Sequence, residues 1–105
     1  MVAPVGGVLM ARNFKVSARR RGDSLHLALR GDFDGTSACE LLNLLNKKRR
    51  AVRKAVIHTG GLRHVFGFGR DTFQRNVYTL RGAGLELIFS GKNAEEIALE
   101  HHVVL

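Results

Sequence analysis

Two stretches of strict two-residue alternation bracket a turn signal near the start of this chain. Phe14, Val16 and Ala18 alternate with Lys15, Ser17 and Arg19; after Arg21-Gly22-Asp23, Leu25, Leu27 and Leu29 alternate with His26, Ala28 and Arg30. Period two places alternate side chains on opposite faces of a strand, so the segment predicts an antiparallel hairpin with one buried face. Gly31-Asp32-Phe33-Asp34-Gly35 is expected to break the second strand.

From Thr36 the period changes. Ser37 and Glu40 have the spacing of a capping box, and Ala38, Leu41, Leu42, Leu45 and Val52 recur at helical spacing, with Leu44 widening the face. Ala55-Val56-Ile57-His58 has the run of apolar residues of a central strand buried on both faces, closed by Thr59-Gly60-Gly61. Residues 62–68 read as a loop and 69–81 as a second helix with Phe73, Val77 and Leu80 inward, stopped by Gly82-Ala83-Gly84. Residues 85–89 follow as a strand. Asn93 with Glu96 opens a third helix containing Ile97, Ala98 and Leu99, and residues 103–105 add a terminal edge strand. The predicted order, β-β-α-β-α-β-α-β, is that of an α/β domain. Its mixed sheet has a leading antiparallel hairpin, parallel later strands and helices packed on it.

Composition narrows the class. The chain has 105 residues, of which 45% are hydrophobic, enough for one domain with one core; residues 1–12 carry little pattern and read as a flexible tail before a single domain at 13–105. One cysteine, Cys39, excludes an internal disulfide and a multi-cysteine zinc site. No run of 18 apolar residues offers a membrane span, and residues 1–10 lack the basic start of a secretory leader, so a cytoplasmic location is expected.

The net charge of +8 is uneven: residues 1–54 hold 12 Lys and Arg against 4 Asp and Glu, whereas residues 55–105 are balanced. Six of those cations, Lys47, Lys48, Arg49, Arg50, Arg53 and Lys54, form one run at the end of the first predicted helix, where the helix dipole favours them. Arg19-Arg20-Arg21 is a second cluster. These patches suit an acidic protein, an anionic surface or nucleic acid, although charge runs are commonly only solvated faces. The 47–54 run has no interleaved aromatic residue and matches no nucleic-acid-binding signature.

With the element order in hand, residues 14–99 resemble the STAS domain family, which includes bacterial anti-sigma factor antagonists. Three stretches carry the resemblance: Leu29-Arg30-Gly31-Asp32-Phe33-Asp34-Gly35-Thr36 with Ala38-Cys39-Glu40-Leu41, Ala55-Val56-Ile57-His58 through Gly61-Leu62, and Gly82-Ala83-Gly84-Leu85-Glu86-Leu87. The resemblance implies a non-enzymatic regulatory or adaptor domain that binds a protein partner, such as an anti-sigma factor of the kinase type or a transporter component. The implied partner surface is Asp32, Phe33, Asp34, Gly35 and Thr36 together with Phe66, Gly67, Phe68, Gly69 and Arg70. Antagonists of the family carry Asp-Ser-Ser/Thr-Gly at the start of the second helix, and a partner kinase phosphorylates the second hydroxyl. The corresponding residues here are Phe66, Gly67, Phe68 and Gly69, so Phe68 stands at the phosphoacceptor position and that switch is absent.

Other residue patterns point to no chemistry. His26, His58, His64, His101 and His102 lack the spacing of a metal triad, and His58 reads as a hydrogen-bonded structural residue. Asp32 and Asp34 have no third ligand or base, and Cys39 reads as a small buried side chain. No catalytic, metal or cofactor site is expected, and the chain does not read as an enzyme. At least one of Phe66 and Phe68 is expected to be exposed, as interface hot spots favour aromatic residues and arginine; the same rings also suit a homodimer. The alternative is a basic nucleic-acid-associated protein using the 47–54 cluster. A third reading is a nucleotide or small-molecule pocket near His58 and Gly67–Gly69.

Overall fold

The computed structural model describes residues 13–78, 80, 84–99 and 102–105. The tail expected at 1–12, the helix stop at Gly82-Ala83 and His101 lie outside the described residues.

The elements run β1 (Phe14–Arg21), β2 (Ser24–Phe33), α1 (Gly35–Lys48), β3 (Lys54–Val65), α2 (Gly67–Asn76), β4 (Glu86–Ser90), α3 (Ala94–Ile97) and β5 (Val103–Val104). They build an α/β fold around one five-stranded sheet in the order β1-β2-β3-β4-β5. The β1–β2 pair is antiparallel, and every later pair is parallel. Gly22 and Asp23 alone join β1 to β2. Gly22 has a φ of 58°, giving a positive φ at the first central position only, the sign pattern of a type II′ hairpin turn.

The alternation sorts the sheet as its period demands. Leu25, Leu27, Leu29 and Phe33 of β2, Ala55 and Ile57 of β3, and Leu87 and Phe89 of β4 bury one face. Ala38, Leu41 and Leu45 of α1, Phe73 of α2 and Ile97 of α3 close the core over it. Edge-to-face contacts link Phe14 to Phe33, Phe33 to Phe73 and Phe73 to Phe89, with centroids 6.0, 6.3 and 6.0 Å apart. Such pairs add about 0.5–1.5 kcal/mol each beyond area burial. The opposite face bears His26, Ala28, Val56, His58 and Ile88, and Val56 lies outside the core cluster although it is buried.

Several boundaries differ from the sequence reading. β3 does not end at Gly60-Gly61 but continues to Val65, paired with β2 through Arg30↔Gly61 and Phe33↔Val65, so most of the expected 62–68 loop is strand. Leu29 O lies 2.7 Å from where a Gly61 Cβ would stand, so glycine is used there for close strand approach. β2 likewise carries on through Gly31 to Phe33. The cap of α1 is Asp34 rather than Ser37, and Val52 lies beyond the helix yet still in the core. The third helix is a single turn. Asn93 there has a φ of 74° and makes no side-chain cap bond.

Gly31 has a φ of 95°, and Asn13 O occupies the place a Cβ would take, whereas the space around Gly22 is open. Gly22→Ala is expected to cost about 1–2 kcal/mol, the left-handed penalty alone. Gly31→Ala should cost clearly more in urea unfolding; equal losses would contradict this account of β2.

Candidate functional site

The two segments singled out by the sequence meet at one end of the molecule, beyond the carboxyl ends of β2 and β3. Asp34 folds the chain from β2 into α1. Its Oδ1 accepts from the Ser37 N–H at 2.9 Å, and the buried Ser37 Oγ lies 2.9 Å from that Oδ1 and 2.7 Å from Asp32 O. The Phe66 N–H donates to Phe33 O at 3.0 Å, which seats the start of α2 on the same turn. Gly69 makes the seating possible: a Cβ there would run into Phe33 O and stand 2.8 Å from the Asp34 carbonyl carbon.

The rim of this end is mixed in character. Asp32 Oδ1 receives the Arg63 guanidinium at 3.3 Å and the His64 ring at 3.4 Å. His64 also lies against Phe66, with ring centroids 5.9 Å apart. Phe66 is 48% exposed and Phe68 74% exposed, so both rings, not merely one, face outward. The Phe68 ring covers Gly35, where a Cβ would lie 2.6 Å from its Cε2. Arg70 Nε donates to Asp71 Oδ1 at 3.1 Å, and Gly67 and Thr36 complete the outer surface. Two members of the expected surface are corrected. Phe33 is fully buried as the centre of the aromatic ladder, and Gly69 is buried beneath the rim, so neither reaches a partner. Cys39, expected to be buried, is exposed on α1.

The opposite end gathers the charge. Arg20 Nη2 donates to Ala51 O at 3.0 Å, which clips the hairpin arginines to the end of α1, and the Arg53 N–H donates to Asp23 O at 2.8 Å. Arg49, Arg50, Arg53 and Lys54 line a cavity of about 780 Å³ together with Asp23 and Glu86. Two clusters far apart in sequence therefore form one basic end. β2, at about 3.3 Å per residue, separates it from the Phe66–Phe68 end by roughly 30 Å.

His58 is not at the sheet's carboxyl edge. It sits within β3 on the face away from the helices, with Nε2 3.1 Å from His26 Nδ1. A two-residue hairpin turn already dictates that Arg19 faces His26, but the approach of His58 depends on the β2–β3 register, which no local pattern encodes. The backbone of Leu99 donates to His102 Nδ1 at 3.0 Å, a structural role.

No protein-family model and no curated protein matches the sequence. Among solved structures, the chain is similar to one described as a crystal structure analysis of Mglu, with a TM-score of 0.64 and 20% identity over 97% of this chain and 23% of that one. It is also similar to Mglu in its native form, with a TM-score of 0.65 and 19% identity over 83% of this chain and 25% of that one. The chain thus spans about a quarter of the length of these neighbours. Likeness at this identity establishes the α/β fold with its mixed sheet.

The geometry separates support from surface. Asp34→Ala should lower stability by about 1 kcal/mol through loss of the cap. Phe68→Ala, on an exposed ring, should stay within about 0.5 kcal/mol. Denaturant titration of both variants checks this, and a larger loss for Phe68→Ala than for Asp34→Ala would reverse the assignment.

Proposed function

We propose that this chain is a STAS-like regulatory or adaptor domain that binds a protein partner without catalysing a reaction. The observation that carries the reading is the pair of exposed rings, Phe66 and Phe68, held beside the Asp32–Thr36 turn. Large apolar side chains in water are costly, and aromatic residues flanked by arginine are the usual anchors of protein interfaces. Arg63, Arg70, Asp32 and Asp71 supply a polar rim of both signs, which favours selection among partners over raw attraction.

The four residues Phe66-Gly67-Phe68-Gly69 contain no hydroxyl, so phosphorylation there cannot release the partner. Binding in this reading is constitutive or is governed from the partner's side. The resemblance to anti-sigma factor antagonists supports a kinase-type anti-sigma factor or a transporter component as the partner class. The partner surface accordingly comprises Asp32, Asp34, Gly35, Thr36, Phe66, Gly67, Phe68 and Arg70, with Phe33 and Gly69 as its buried footing.

The test is co-purification of the native protein from its own cell beside the Phe66→Ala/Phe68→Ala variant. A protein recovered with the native chain and reduced at least tenfold with the folded variant is the expected result, since interface anchors are worth about 2 kcal/mol or more each. Equal recovery with both would sink the proposal. A recovered kinase supplied with ATP should leave residues 66–69 unmodified; stable phosphate on Thr72 would show the phosphoacceptor position to be misassigned.

A further inference from the structure

We propose that the face of the sheet turned away from the helices binds single-stranded nucleic acid, with the His26–His58 pair as a base-stacking platform and Arg19, Arg21 and the adjoining basic end holding the phosphates. This surface is separate from the Phe66–Phe68 end and does not depend on its function.

The pair has an unusual shape. The two imidazole planes are only 13° apart with centroids at 5.3 Å, and His26 Nδ1 lies 3.1 Å from His58 Nε2. A ring N–H and the lone pair that accepts it both lie in the plane of their rings, so bonded imidazoles cannot be stacked face to face. The centroid separation is close to the nitrogen–nitrogen contact plus one ring radius at each end. The rings therefore lie side by side in nearly one plane and make a single flat surface larger than either. Histidine is among the side chains on which unpaired bases stack.

Charge surrounds that platform on the strands themselves. Arg19 is the direct cross-strand neighbour of His26, and Ser17 that of Ala28. Arg19, Arg21 and Ser17 line a hollow of about 330 Å³ with both histidines. Further along the same face Lys15 stands opposite Arg30, a like-charged pair that is unfavourable unless an anion neutralises it. Ser24 leads to Lys54 and so to the cavity of Arg49, Arg50 and Arg53, whose lining also holds two acids, Asp23 and Glu86. The positive surface is longer than one nucleotide needs, which selects a polymer over a free nucleotide.

Other anionic partners fit less well. Val56, beside the pair, is only 8% exposed, so next to the imidazoles there is little apolar surface to insert into a bilayer. A duplex keeps its base faces stacked inside and cannot use a flat platform, and the carboxylates of an acidic protein would leave it unused.

The experiment is fluorescence anisotropy of the full chain with a labelled 12-nucleotide single strand, in RNA and DNA forms, from 50 to 300 mM salt. Binding is expected to weaken steeply with salt, with log K falling by about 0.7 per phosphate contact for each tenfold rise in salt. Arg19→Ala/Arg21→Ala should flatten that slope by about 1.4, and His26→Ala should weaken binding about tenfold without changing the slope. Both arginines are exposed, so the double variant tests the surface even where His26→Ala perturbs the fold. No binding at 50 mM salt would overturn the proposal. So would affinity unchanged by the arginine pair but abolished by Lys47→Ala/Lys48→Ala, which would put the strand on the helix end. Equal or tighter binding of the duplex, of adenosine monophosphate or of phosphatidylserine vesicles would overturn it as well.

Discussion

The near-contact between Gly69 and the backbone of Phe33 and Asp34 organises one whole end of this molecule. It lets the start of α2 rest on the turn that starts α1, with Phe66 bonded to Phe33 O. Phe33 then does two jobs: its ring ties β1 to α2 within the core, and its carbonyl fixes the exposed segment above. A side chain at residue 69 would push α2 away, loosening the aromatic ladder and the Phe66–Phe68 rim together. Rim and core are thus mechanically one unit, as close-packed interiors transmit strain rather than absorb it.

The sheet gives the molecule two unlike ends and two unlike faces. All three helices bury their apolar residues on one face, which leaves His26, His58 and the cations of β1 on the other, together with Ala28, Val56 and Ile88. Aromatic residues collect where β2 and β3 finish. Arginine and lysine collect where those strands begin, because the runs 19–21 and 47–54 lead directly into β2 and β3, and Arg20 bonds Ala51 O between them. The positive excess falls within residues 1–54, and the runs 19–21 and 47–54 bring much of it to one end, next to the imidazole pair. The proposed protein partner and the proposed nucleic acid approach from different directions, and one does not block the other.

Much of this was legible in the residues, and the gaps have physical causes. The hairpin, the element order and the inward positions of Leu41, Leu45, Phe73 and Val77 followed from local period, because local period is what decides them. The run past Gly60-Gly61 was not legible, since those glycines are held extended by β2, some thirty residues away. The resemblance implies a partner surface that includes Phe33, yet Phe33 continues the alternation of Leu25, Leu27 and Leu29. Carrying period two across Gly31 would have placed it inside. The His26–His58 contact was hidden for a different reason: it forms only once two parallel strands take up their register. Asp34 took the cap from Ser37 because its carboxylate reaches the Ser37 N–H and hydroxyl together.

The central claim is that a protein partner docks on the Phe66–Phe68 end. Backbone hydrogen exchange of the chain, alone and bound to the partner with which it co-purifies, tests that claim most directly. The account predicts slowed exchange across residues 34–37 and 66–71, with little change at 19–21 and 47–54. Protection confined to the basic end, with the two phenylalanine segments exchanging as in the free chain, would contradict it.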